Sequence, residues 1–297
     1  MKRADVKVWF ACNNHCSFCV QWDKREQYKP RTYEEICEIL EDEFANDCRG
    51  VVFTGWEPTV HPRLVECVAY AKKLWYEVIQ IQSNGRNFAN MEYLQKLIDA
   101  WVTEFSPAIH GFKKETHDML VGSSGAWEHA VRGIINIRKL WYPVVMNSVI
   151  TEQNYREIPE LASLFVKLWV SSFQFAFVHI LGSAAKNKTT VVPKKSNVIP
   201  YVKKALDIGR AAGITCMTEA IPFCLMQWYE WAIAEYNFMP ETTVVDAEYR
   251  TESYADYRWD QWKAKREECV QCSKNSICEG PWKEYPELYW WDEFILL

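Results

Sequence analysis

Glycine is scarce in this chain. It supplies 11 of 297 residues, where ordinary usage would supply about 21. Long apolar runs are missing as well. The most apolar stretch, 161–181, is interrupted by Lys167, Gln174 and His179, which excludes a membrane span. The first seven residues carry charges where a secretory signal needs an apolar core. The expectation is therefore a cytoplasmic protein in a reducing compartment, without membrane contact. Positive charge is not in excess: 34 Lys and Arg stand against 39 Asp and Glu, a net charge of −5. That argues against nucleic acid as a partner. Two residue types are abundant instead. Eleven cysteines, an odd number, read as metal ligands or core thiols rather than disulfides. Fifteen tryptophans outnumber the glycines.

β-rich runs at 6–10, 51–54, 78–82, 102–106, 144–150, 172–178 and 214–218 alternate with helical patterns at 33–46, 64–74, 91–100, 127–140, 155–168 and 198–212. Asn90 and Asn154 are expected helix N-caps. Strand–helix–strand repeats at this spacing make βαβ units on a parallel sheet. The fold class is thus α/β, a partial (β/α)6 TIM-type barrel over 1–219 with its active residues after the strand C-termini. The pattern stops near residue 220. Residues 220–297 read as a small, Cys-rich cluster-binding domain; within it 241–297 carries 13 acidic and 7 basic side chains. The lysine-rich stretch 186–195 reads as a solvated loop.

Cys12, Cys16 and Cys19 follow the first strand with spacing C-x3-C-x2-C. Three thiolates within eight residues can wrap one inorganic cluster, and three ligands to a four-iron cluster leave one iron open. A zinc site or buried thiols are the alternatives; His15 would then be the fourth zinc ligand.

This spacing, with Phe18 before the third cysteine, resembles the radical S-adenosylmethionine (SAM) enzymes. Thr54-Gly55-Trp56-Glu57-Pro58-Thr59 is similar to that family's Gly-Gly-Glu-Pro motif, with Trp56 in place of the second glycine. Ser83-Asn84-Gly85 after the third strand, Ser106 ahead of His110-Gly111, and Asn147 in the fifth strand extend the resemblance over roughly residues 4–218. It implies a 4Fe–4S cluster on Cys12, Cys16 and Cys19, whose open iron chelates the amino and carboxylate groups of SAM. Reductive cleavage would give methionine and a 5′-deoxyadenosyl radical that abstracts hydrogen from a substrate. The backbone near Phe18 would lie by adenine, as would 178–181. Gly55, Trp56, Glu57 and Pro58 would receive the methionine amino group, the Glu57 carboxylate accepting from an ammonium. Ser83 and Asn84 belong to the same cofactor-binding set, or form an ordinary turn. Ser106 and Asn147 would contact ribose and carboxylate, or are plain strand-end polar groups.

Cys269, Cys272 and Cys278 have the spacing C-x2-C-x5-C, with Cys224 upstream. This resembles part of the SPASM and twitch extensions of the same family, which hold auxiliary iron–sulfur clusters. The fuller pattern has a further cysteine where this chain has Trp282, so one auxiliary 4Fe–4S cluster is expected. A four-cysteine zinc knot fits the spacing too. Cys216 competes with Cys224 as fourth ligand, while Cys37, Cys48 and Cys67 read as small buried hydrophobes.

The reading is a radical SAM enzyme acting on a peptide or protein, served by an electron donor such as flavodoxin or ferredoxin. Small-molecule or cofactor biosynthesis is the alternative, and a non-catalytic iron–sulfur carrier or zinc-stapled binding protein the alternative of another class. With the first strand near residue 6, a leader-peptide recognition domain would come from a separate protein.

The tryptophans carry a separate expectation. Trp75, Trp101, Trp141 and Trp169 each follow a helix end and precede a strand, where a left-handed residue, usually glycine, is favoured. Trp56 breaks the glycine pair, and Trp9, Trp228, Trp262 and Trp290 are weaker candidates. The nine together are expected to be glycines encoded by UGA in a source that reads that codon as glycine.

Overall fold

In the computed structural model, which describes residues 1–21 and 27–297, the strands are built on alternation. In β1 (Arg3–Trp9), Ala4, Val6 and Val8 are fully buried while Asp5 and Lys7 take the opposite face. β5 (Val145–Ile150), β6 (Ser172–Phe177) and β7 (Thr215–Glu219) alternate in the same way, burying Met146, Phe173, Phe175 and Cys216 and leaving Asn147, Gln174 and Glu219 on the other side. The apolar face packs under helices. The polar face lines a lumen.

β2 (Gly50–Gly55), β3 (Val78–Ser83) and β4 (Glu104–Pro107) complete the set, ordered β4-β3-β2-β1 and β5-β6-β7, all parallel. Parallel bridges Phe105–Val144 and Ala108–Asn147 join β4 to β5, so the seven strands curve into one partial barrel. The outer helices are α1 (Tyr33–Ala45), α2 (Leu64–Lys73), α3 (Met91–Asp99), α4 (Lys114–Val121), α5 (Ala126–Lys139), α6 (Ile158–Lys167), α7 (Gly182–Lys186), α8 (Lys188–Val191) and α9 (Lys195–Ala211). Thr32 and Glu35 form a reciprocal capping box on α1. Asn90 caps α3 through Tyr93 N–H.

Asn154 does not cap a helix by its side chain. Its Oδ1 accepts from Thr151 N–H, and its Nδ2 donates to the carbonyls of His110 and Val149, tying β5 to the loop after β4. The stretch 186–195 is not a solvated loop either: it holds the whole of α8 and ends at Lys195, which is completely buried. The Lys195 ammonium donates to the Ala220 carbonyl at 2.8 Å and sits 3.1 Å from the Phe177 ring centroid. Burial pulls its pKa well below the usual lysine value.

Beyond β7 the chain continues through α10 (Ala234–Asn237), β8 (Thr242–Val245), β9 (Arg250–Thr251), α11 (Tyr254–Trp262) and α12 (Tyr285–Tyr289). This segment does not stand apart. β8 pairs parallel with β1, Arg3 opposite Thr242, and adds a strand to the free edge of the barrel sheet. Among the described residues no helix is long and apolar enough to cross a membrane.

Candidate active site

The loop after β1 presents Cys12, Cys16 and Cys19, all half-buried. It is held from two sides. His15 and Ser17 donate backbone N–H groups to Val121 (2.7 Å) and Leu120 (2.9 Å) at the end of α4. On the other side Ser183 N–H donates to the Cys19 carbonyl (2.8 Å), and Asn187 Nδ2 donates to that of Ser17 (2.9 Å). Both approaches depend on glycine. A Cβ on Gly122 (φ 60°) would stand 2.7 Å from the His15 oxygen, and one on Gly182 (φ 54°) 2.5 Å from that of Cys19. Cys12 Sγ accepts from Asn14 N–H at 3.3 Å. An N–H aimed at sulfur favours the thiolate, so this donor set fits the iron of a cluster.

Glu57 organises the next two strand ends. It is completely buried. One carboxylate oxygen accepts from Thr59 N–H (3.0 Å), Thr59 Oγ1 and Ser83 Oγ (2.7 Å), and the other from Asn84 N–H (2.6 Å). Burial raises its pKa while these donors oppose the rise. Where the sequence suggested a carboxylate open to an ammonium, the geometry shows one already engaged by four donors. Asn84 in turn donates to Asn13 Oδ1 (2.6 Å), and Arg86 holds the Asn13 carbonyl and Asn14 Oδ1. The three loops therefore form one unit.

Gly55 (φ 123°) lies against β1: a Cβ there would stand 2.4 Å from the Trp9 carbonyl. Trp56 N–H donates to that same carbonyl, and its ring meets Phe10 edge-on at 4.9 Å. Pro58 is buried. Phe18 is buried edge-on to His110 (4.7 Å), which stacks on His117. Val149 N–H donates to His110 Nδ1 and His110 N–H to His117 Nδ1. Burial lowers these imidazoles to about 3 and about 4, so both are neutral.

The lumen holds a cavity of about 570 Å³ between the strand ends and the segment carrying β8 and α11. Asn147 lines it with a buried Oδ1 that has no hydrogen-bond partner, an open acceptor toward a ligand. His179 and Leu181, from 178–181, line it as well, while Ser106 is buried on β4 opposite Gln82. Among the described residues its charged side chains are Asp5, Glu219, Asp246 and Glu248 against Lys7, and Lys7 pairs with Asp5 at 2.9 Å. Sequence reasoning missed Asp5, Lys7, Gln82, Gln174 and Glu219. The signal was present as polar residues at every second position inside otherwise apolar strands.

A second cavity is lined by Cys224, Cys269, Cys272 and Cys278 together. Burial first, and then the charge of the other three thiols, raises Cys224 to about 12; burial raises Cys278 too. Four thiols gathered on one cavity fit a site completed by bound metal cations. Among the described residues no three ligand side chains close on a single metal ion; these four surround a space. Cys216 lies elsewhere, buried against α9 with its thiol donating to Leu206 O. Cys48 and Cys67 are buried and Cys37 is half-buried. Trp282 is a packed core residue, stacked on His179 at 3.8 Å with its indole N–H on the Phe177 carbonyl.

A family model described as the Radical SAM superfamily matches residues 6–165. The chain is 28% identical over 185 residues to the Fe-coproporphyrin III synthase of Methanosarcina barkeri, covering 61% of this chain and 46% of that protein. It is 26% identical over 178 residues to a probable GTP 3′,8-cyclase of Saccharolobus islandicus, covering 60% and 57%. The matches thus span about half the length of these curated relatives. Among solved structures it is similar to anSMEcpe with bound AdoMet and the Kp18Cys peptide, with a TM-score of 0.70, 14% identity, and coverage of 95% of this chain and 90% of that one. It is also similar to Streptococcus suis SuiB bound to its precursor peptide SuiA, with a TM-score of 0.65, 14% identity, and coverage of 94% and 71%. At such identity the likeness is one of fold.

Proposed function

The chain belongs to the radical SAM superfamily, whose members are enzymes using a 4Fe–4S cluster and SAM, and from that premise we propose that it modifies a peptide or protein. The observation carrying this is the charge of the lumen. Among the described residues, four carboxylates and one ammonium line the cavity. A nucleoside triphosphate or a porphyrin carboxylate would enter against that charge, whereas a neutral or cationic side chain would not.

In this reading Cys12, Cys16 and Cys19 hold the cluster. When bound, it supplies the electron that breaks a C–S bond of SAM and gives a 5′-deoxyadenosyl radical. The residues around it bind and orient. The backbone from Gly55 to Pro58 accepts the methionine ammonium, Asn147 offers its unpartnered Oδ1, and Phe18 with 178–181 walls the adenine. Glu57, Ser83 and Asn84 keep these loops in register. Cys224, Cys269, Cys272 and Cys278 hold an auxiliary cluster, and a flavodoxin or ferredoxin delivers the electron.

The test uses anaerobically reconstituted protein with dithionite and SAM. It should form 5′-deoxyadenosine, and changing Cys12, Cys16 and Cys19 together to Ala should abolish this. Peptides encoded beside the gene should accelerate the reaction, and GTP and coproporphyrin should not. Acceleration by either small molecule alone overturns the peptide reading.

A further inference from the structure

Among the described residues, eight that are not glycine have a positive φ, and six of them are tryptophan: Trp75 (68°), Trp101 (84°), Trp141 (64°), Trp169 (56°), Trp228 (70°) and Trp290 (53°). The other two are Asp47 and Ala220. The left-handed region is uncommon for any side chain, and Asn and Asp lead among those that enter it; a bulky residue there is an outlier. Tryptophan makes up 15 of 297 residues, so its dominance of this set is not a matter of abundance.

Four of these sites share one hydrogen-bond pattern. After α2, Trp75 N–H donates to Lys72 O and Tyr76 N–H to Ala71 O. After α3 the pairs are Trp101 to Ile98 and Val102 to Leu97; after α5, Trp141 to Arg138 and Tyr142 to Ile137; after α6, Trp169 to Val166 and Val170 to Phe165. This is the Schellman ending, whose left-handed residue is usually glycine. The same pattern closes α4 at Gly122 and α9 at Gly213. Tyr76, Val102 and Val170 are buried just beyond, as that ending requires. Trp290 has ψ −158°, close to a region that is essentially restricted to glycine.

The indoles gain little packing to offset this: Lys72 Nζ lies over the Trp101 ring at 4.3 Å, and Trp141 and Trp169 line one surface cavity. All six side chains are exposed, from 56% at Trp101 to 87% at Trp141. Trp127, Trp231 and Trp282 behave differently: each packs into or against the core, and Trp282 is buried. Trp262 joins this second group, edge-on to His179, Tyr254 and Tyr257, which removes it from the candidates of the sequence reading. Trp9 and Trp56 lack a positive φ. Their buried indole N–H groups have no partner, but neither has that of Trp231, and Trp9 also packs against the core, so these two do not share the backbone signature of the six.

We propose that Trp75, Trp101, Trp141, Trp169, Trp228 and Trp290 are glycine in the natural protein, encoded by UGA in a cell that reads UGA as glycine. The chain would then hold about 17 glycines and about 9 tryptophans, nearer the ordinary balance.

The gene and the protein test this directly. The six codons should be TGA, and those of Trp127, Trp231, Trp262 and Trp282 TGG. TGG at the six left-handed positions overturns the proposal. In protein from the source cells, the tryptic peptide 140–156 should show the residue mass of glycine at its second position; tryptophan there overturns it equally. A physical arm uses the chain made with tryptophan. Trp141→Gly should raise the thermal midpoint by about 2–4 °C. Trp141→Ala, which removes the indole but keeps a Cβ, should raise it less. Equal midpoints for the two variants overturn the backbone argument.

Discussion

At the scale of single residues, Glu57 shows how a motif conceals its mechanism. Its place in a strand-end loop was legible, but its neighbours were not. Ser83 and Asn84 lie more than twenty positions away and reach the carboxylate only because β2 and β3 are adjacent. Removing a buried acceptor of four hydrogen bonds strands its donors, so Glu57→Ala should cost about 3 kcal/mol or more, measured by urea unfolding, and should weaken SAM binding through the displaced loops. The paired histidines give a pH signature. His110 and His117 are neutral in the fold, near 3 and 4, against 6.5 when unfolded. The unfolded chain therefore binds more protons on acidification, and stability present above pH 6.5 is lost as pH falls toward 4. Each histidine should cost on the order of 1 kcal/mol between pH 7.5 and 5.5. The gap in unfolding free energy between the two pH values should shrink by about 1 kcal/mol in His110→Gln; an unchanged gap would assign the loss to other groups.

At the scale of elements, the seven barrel strands and their main helices were legible because each strand is a short apolar run and each helix an amphipathic one. α4 was not. Its eight residues are polar and short, and it is fixed by the cysteine loop docked on its end. Lys195 was misplaced for the opposite reason: composition says solvent, but aromatic rings and a carbonyl receive the ammonium. The clamp on the cysteine loop makes its own prediction. Gly182→Ala adds a Cβ 2.5 Å from the Cys19 carbonyl at φ 54°, so the loop must shift. Reconstituted protein should lose iron and visible absorbance from the first site and keep those of the second. Full iron content would show that the loop tolerates displacement.

At the scale of the molecule, two metal sites are expected on either side of one lumen. Reconstitution should load about 8 irons if both clusters are four-iron, and the variant lacking Cys12, Cys16 and Cys19 should retain about half. Zinc without iron in that variant would make the second site structural. The segment bearing this site is bound to the barrel by buried charge. Arg258, wholly buried, forms a bidentate pair with Glu279 and approaches Glu219 on β7. Glu279→Ala should cost about 3 kcal/mol, since a buried cation is left with only the more distant Glu219; a change within about 0.5 kcal/mol in urea unfolding would argue that water reaches the pair.

The pairing of β1 with β8 also sets a timetable. The partners lie about 240 residues apart. At ordinary elongation rates of about 5–20 residues per second, β1 leaves the ribosome roughly 10 to 50 seconds before the strand that covers it. Throughout that interval it presents an unsatisfied edge, the kind of surface on which nascent chains aggregate. A central strand of the finished sheet is thus made before both its neighbours and is among the last to be enclosed, and any chain whose synthesis stops after β7 keeps that edge open.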